Sequence, residues 1–262
     1  MKKLIIILAL ACAPFLVFAG GDREDWDVGF PRVGNGDMVT FEISVSPFES
    51  IYVRGRAVIF YHASREYRAV VTVDTNLKEF VDVSTQDRVL NIGTKRGRNI
   101  GFTNFTVDVY APSLTGVSVS GSARFEAMDT VSSREFRLNI SGRGKIKGPF
   151  ECDDFSMRIS GSGEIENHIV CRSFKASVSG SGHLDITGSA ADMEITVSGS
   201  GNLNLSEFQT NNAALNISGA GNVQVWVLDH LNARISGAGR VQYRGNPIID
   251  FSGAGIKRLQ SE

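Results

Sequence analysis

From Met38 onward, apolar and polar residues alternate with a period of two. Val39, Phe41, Ile43 and Val45 fall on one face, and Thr40, Glu42 and Ser44 on the other, the pattern of a half-buried strand. Ile51/Val53, Ala57/Ile59/Tyr61, 70–73, 80–83, 89–92 and 105–110 continue the theme. Turn-formers separate these runs: Arg54-Gly55-Arg56, His62-Ala63-Ser64, Asp74-Thr75-Asn76, Gln86-Asp87 and Lys95-Arg96-Gly97-Arg98-Asn99. Nothing here keeps a helical period for the turns a stable helix needs. Residues 38–112 are therefore expected to be an all-β part that caps or opens whatever follows.

From residue 113 to 258 a pentapeptide of the form [VIF]-Ser-Gly-x-[Gly/Ala] takes over, with serines at Ser120, Ser141, Ser160, Ser179, Ser198, Ser218, Ser236 and Ser252. A near-fixed period of about 20 residues is the mark of a stacked repeat. Aligned on the serine, three columns are apolar in nearly every unit. Five residues before it stand Phe136, Phe155, Phe174, Met193, Ala213 and Leu231. The residue just before it is Val119, Ile140, Ile159, Val178, Val197, Ile217, Ile235 or Phe251, and five after it stand Phe125, Ile146, Ile165, Leu184, Leu203, Val223 and Val241. Such columns predict a parallel β-helix of short coils. Each strand would pair with its copy one repeat later, so that inward side chains stack on their own kind. Crossover handedness favours a right-handed helix, and strand spacing gives eight coils a rise of about 35–40 Å.

A coil this short must turn sharply, and the corners are assigned to Gly121, Gly142, Gly161, Gly180, Gly199, Gly219, Gly237 and Gly253, which permit backbone angles or close approaches that a Cβ resists. The serine hydroxyls are expected to bond nearby backbone, or each other along the column. The outward column Arg124, Lys145, Glu164, His183, Asn202, Asn222 and Arg240 reads as a solvated ladder of opposite charges and paired amides.

The chain opens with Met1-Lys2-Lys3, an apolar run from Leu4 to Phe18, and Val17-Phe18-Ala19 before Gly20. These are the parts of an export signal over residues 1–19 and are too short for a spanning helix. Leu10-Ala11-Cys12 loosely resembles a lipoprotein processing site, but the apolar residues after it favour soluble processing over a lipid anchor at Cys12. Residues 20–37, rich in glycine and charge, are read as a flexible leader. The expected location is the periplasm, the outer-membrane region or the cell surface, with no transmembrane segment in the mature chain. Removing Lys2 and Lys3 from the 27 Lys and Arg leaves 25 against 28 Asp and Glu, a balance that argues against nucleic acid as a partner.

Candidate chemistry is sparse. Cys152 and Cys171 both lie eight residues before their serines, so stacking would bring their Cα atoms within disulfide range; a structural disulfide and a pair of packed thiols both remain open. His62, His168, His183 and His230 show no metal-ligand spacing, and Gly-x-Gly never extends into a phosphate-binding fingerprint. No metal, no cofactor and no catalytic residue is assigned. Glu166 and Asp185, with Glu126, Glu164, Glu151, Asp153 and Asp154 nearby, are the one set whose spacing suits a pair of glycosidase carboxylates, yet their column continues as Asn204, Gln224 and Gln242, an ordinary wet face. The basic tip at Lys95–Arg98 reads as a hairpin end.

Phe48-Glu49-Ser50-Ile51-Tyr52-Val53, the run from Val107 to Gly121, the Ser-Gly-Ser-Gly and Ser-Gly-Ala-Gly coils, Val241-Gln242-Tyr243-Arg244-Gly245-Asn246-Pro247 and the closing Ser252-Gly253-Ala254-Gly255 together resemble the head GIN domain family. The likeness covers roughly 46–258. It implies an exported bacterial β-helical protein with an adhesin-like label and carries no catalytic residues. Arg143 and Ala123 depart from the usual coil without disturbing the fold reading. Self-transport would need a membrane β-barrel, for which 262 residues leave no room. The expectation is a non-enzymatic envelope module whose partner is unknown: a surface glycan, a protein, or another copy of itself at Gly253–Leu259. A carbohydrate-active enzyme is the alternative.

Overall fold

A computed structural model describes residues 32–95 and 100–259. The export signal, Cys12, most of the leader and the tip at Arg96–Asn99 lie outside the described residues.

The protein is a parallel β-solenoid. Strands 116–121, 137–142, 156–161, 175–180, 194–199, 214–219 and 232–237 stack in register, so that Val119, Ile140, Ile159, Val178, Val197, Ile217 and Ile235 form one column and the serines beside them another. A second side begins at Arg124, Lys145, Glu164, His183, Asn202, Asn222 and Arg240, again in register. Inward positions of both sides are buried, as the period-two pattern demands. A ladder of rings runs up the core: Phe136, Phe155 and Phe174 stack at 5.6 and 6.0 Å between successive centroids.

The corner follows from the backbone. Gly121 through Gly237 and Gly253 all hold φ between +116° and +135°, a region in which an L side chain is strained. A Cβ on any corner glycine from Gly121 to Gly237 would come within 2.5–2.7 Å of the carbonyl oxygen of the corner glycine one coil below. From Gly121 to Gly219 the amide of the residue after each corner glycine donates to that same carbonyl, as Ser181 N does to Gly161 O at 2.9 Å, so the ladder continues around the bend. The second glycine does different work: a Cβ on Gly144 would lie 2.6 Å from the Val119 side chain. Among the described residues the column serines make no side-chain hydrogen bond, in place of the bonds expected of them; their hydroxyls face solvent at the rim of the corner.

Two differences from the sequence reading concern the ends. Residue 112 marks no boundary in the ladder. Ser50–Gly55 and Val58–Ala63 form a coil of the same stack, paired in parallel with 116–121 and 124–127 on one side. On its other side they pair with Val89–Ile92 and Thr106–Ala111. The chain thus lays down its first coil, doubles back beneath it, and returns to build upward. Beneath, the pairing turns antiparallel: Arg68–Asp74 lies along Phe105–Tyr110, Met38–Ile43 along Arg68–Asp74, and Val81–Gln86 along Val89–Thr94. These strands and the 3-10 helix Thr75–Phe80 close the first end. The end of the stretch read as a leader is also structured, with Arg32–Val33 paired to Ile100–Gly101. Asp74, fully buried, ties these segments together. It accepts from the amides of Gly36 at 3.0 Å and Thr103 at 2.9 Å and from the Thr103 hydroxyl.

At the other end, Ile248–Ser252 pairs with the 230–234 stretch so that Phe251 stacks on Ala233 and Ser252 on Arg234. The eighth copy of the repeat is therefore two residues out of the register expected for it, and Gly253 rests on Ile235 rather than on Gly237.

Candidate functional site

Of the carboxylates singled out in the sequence, Glu164, Glu166 and Asp185 stand together on the side that begins at Arg124, and each is met by a neighbour one coil away. Lys145 Nζ lies 2.7 Å from Glu164 Oε1 and 4.0 Å from Glu166 Oε2. Lys147 Nζ lies 3.0 Å from Glu166 Oε1, and Asn204 Nδ2 donates to Asp185 Oδ1 at 3.1 Å. Glu166 and Asp185 are register partners, as their spacing suggested. The hydrogen bond and charge of Lys145 hold the Glu164 carboxyl below the usual carboxylate range, against a smaller opposing effect of burial. A general acid needs the reverse environment, one that raises its pKa. What the arrangement does chemically is present alternating charges and amides at one coil spacing.

A second outward column runs two residues beyond Lys147, Glu166 and Asp185, through Pro149, His168 and Thr187, and three beyond Asn204, at Glu207. Between the two columns lies a shallow groove floored by the backbone of Gly148 and Asn167. Along the second column, His168 and Thr187 are hydrogen-bonded at 3.0 Å. Glu151, Asp153 and Asp154 lie further along the coil, where Arg172 pairs with Asp154 at 2.8 Å.

Cys152 and Cys171 are register partners and free, half-buried thiols. Burial pushes both up to about 12, helped at Cys152 by Asp154 and Asp153 and at Cys171 by Cys152 and Asp154. Thiols so far from ionisation are poor nucleophiles and poor metal ligands. Among the described residues, no group of three or more His, Cys, Asp or Glu is placed to hold a metal ion, and no helix is long and apolar enough to cross a membrane.

Arg54-Gly55-Arg56 was read only as a turn, but it is the first copy of the corner. Gly55 holds φ +82°, and its carbonyl accepts from Ser122 N at 2.9 Å. The signal was present in Val53-Arg54-Gly55-Arg56-Ala57, which keeps every element of the repeat except the serine.

The comparisons agree with this architecture. Three crystal structures share it at 25% identity. One is described as a "Putative lipid binding protein" from Parabacteroides distasonis (TM-score 0.83, covering 88% of this chain and 100% of that one). Another, a "putative adhesin" from Parabacteroides merdae, has a TM-score of 0.83 and covers 87% and 98%. The third, a "putative adhesin" from P. distasonis, has a TM-score of 0.84 and covers 88% and 100%. A search of curated proteins finds no match. The family model described as "Putative auto-transporter adhesin, head GIN domain" matches residues 47–247, and the chain belongs to that family.

Proposed function

We propose that this chain is an exported, non-enzymatic interaction module of the cell envelope, holding an extended ligand along the ladder that runs from Glu126 through Lys147, Glu166 and Asp185 to Asn204. The observation that carries this reading is the pairing of outward side chains between coils. It fixes charges and amides on a rigid scaffold at a regular strand spacing of about 4.8 Å, a surface already ordered before a partner arrives. Kinship with structures described as adhesins and as a lipid-binding protein supports binding rather than catalysis, and makes envelope glycans, proteins and lipids the ligand classes to try. The purified chain should retain an extended ligand on a glycan and matrix-protein array, and replacing Lys147, Glu166 and Asp185 with alanine should remove that retention. No retention by the wild type, or polysaccharide cleavage that is lost when Glu164, Glu166 and Asp185 are replaced, would overturn the reading.

Self-association has one observation of its own. Ile248 and Ile249, on the last long strand, are 70% and 40% exposed, where repeat stacks usually carry a polar cap. Light scattering tests it, and a strict monomer at high concentration counts against it.

A further inference from the structure

The first corner of the stack, with Arg54 and Arg56, carries more positive charge than the corners above it, of which Ser141-Gly142-Arg143 has one arginine. Arg54 stands where Ser120 and its successors stand, Arg56 precedes Ser122 in the next position, and Arg124 opens the second side one coil above Val58. In the coil beneath, Phe102 and Thr103 lie just before the strand Phe105–Ala111, where the coils above have their tight corner. Among the described residues, no backbone carbonyl takes the Arg56 amide as Gly55 takes that of Ser122. Here lies a pocket of about 470 Å³ whose lining includes Arg54, Arg56, Arg124, Phe102 and Thr103, within the size range of small-molecule sites.

No carboxylate is among the described residues lining this pocket. Arg54 shares its guanidinium with Asp82 at 3.2 Å, but its Nε is buried without a partner, beside Gly93, whose missing side chain leaves room for it. Arg56 and Arg124, both exposed, have no ion-pair partner among the described residues. Arg56 and Arg124 bring two guanidinium groups without an ion-pair partner to this concavity, so an anion that enters gains from both. Their planar forks match oxyanions, and a phosphate offers three acceptor oxygens where a carboxylate offers two. The Phe102 ring, half-buried and 4.8 Å from Phe105, supplies an apolar wall for what the phosphate is attached to.

We propose that this pocket binds the phosphate of a phosphate ester, with the carbon skeleton laid against Phe102. The carrier is either a small soluble ester or a lipid headgroup, and two probes separate them. Calorimetry with glycerol 3-phosphate reads the first. Co-flotation with phosphatidylcholine vesicles, with and without phosphatidic acid, reads the second. The full chain should bind at one saturable site in one of these assays. Arg56→Ala with Arg124→Ala should weaken binding by at least about tenfold, the loss expected when a charge-assisted hydrogen bond disappears, with the circular dichroism spectrum unchanged. Arg240→Ala, at the far end of the column that Arg124 begins, should bind as wild type. Saturable binding in neither assay, a double variant that binds as wild type, or an equal loss in Arg240→Ala would each overturn the site. Replacing Lys147, Glu166 and Asp185 should leave it untouched, which keeps this test separate from that of the ladder face.

Discussion

Phe208 stands in register with Gly188, and it does so because one extra residue between Leu205 and Glu207 shifts the pairing by a single step. Without that step the polar Glu207 would meet Gly188 on the core side, since a one-residue slip exchanges the two faces of a strand. With it, the Phe208 ring is fully buried and lies 5.0 Å from Phe174. This happens where the ring ladder thins to Met193 and Ala213. Phe208→Ala should therefore destabilise the fold by about 3–5 kcal/mol, read as a lowered midpoint in urea. An effect below about 1 kcal/mol would show that the ring is not part of the core.

The corner glycines and the serines beside them should separate cleanly. Gly180→Ala places a Cβ 2.5 Å from the Gly161 carbonyl oxygen at φ +118°, and a cost of at least about 2 kcal/mol is expected from strain and lost ladder bonds. Ser179→Ala, at an exposed position, should stay within about 0.5 kcal/mol of wild type. Thermal unfolding of the two variants checks both, and a reversed order would return the serines to the list of sites.

Asp74 makes the first end acid-sensitive. Burial alone would raise its pKa. The hydrogen bonds from the Thr103 hydroxyl and the amides of Gly36, Thr103 and Asn104 outweigh this and hold the carboxyl below its ordinary value. A depressed folded-state pKa contributes stability that is present above the unfolded value and is lost as pH falls through the folded one. Asp74→Asn should lower the melting temperature at neutral pH and flatten its fall in acid. A variant that keeps the wild-type acid profile would remove Asp74 from this role.

The reduced thiols should be slow. With both pushed up to about 12, Cys152 and Cys171 in the folded, reduced protein should react with a disulfide reagent at pH 8 at least about a hundredfold slower than in urea, because the thiolate is the reacting species. Equal rates would mean that the pair is exposed and ionised.

The surface ion pairs should contribute little. Lys145→Met should let the Glu164 carboxyl titrate at a higher pH by NMR while changing stability by less than about 1 kcal/mol, since the pair is solvent-exposed. A larger loss would show the ladder bonds to be structural supports of the stack.

What could be read from the sequence was whatever recurs. The Phe136-Phe155-Phe174 column, the glycine corner and the adjacency of Cys152 with Cys171 all follow from a fixed offset of 19 residues, because parallel register turns sequence period directly into contact. The first end escaped because its neighbours are set by a reversal of the chain. Nothing in the alternation of Ser50–Gly55 says that Val89–Ile92 will lie below it and Gly116–Gly121 above. The Arg54 corner was hidden by the loss of its serine, which had served as the marker although the glycine was the constraint. The last coil slipped by two residues for a related reason: Ser252-Gly253-Ala254-Gly255 keeps the motif, but only 16 residues separate it from the previous copy, too few to go round at full length.

The sealed first end has a consequence for how such a chain can change in length. Antiparallel strands at the base break the parallel ladder, whereas each interior coil touches only the one before and the one after. Copying a single unit, say from Glu164 to Gly182, would leave base, corner and last coil with the neighbours they already have. Related chains are therefore free to differ in steps of roughly one coil, and a head-to-tail duplication is the cheapest mutation by which this protein could reach further from whatever holds its base.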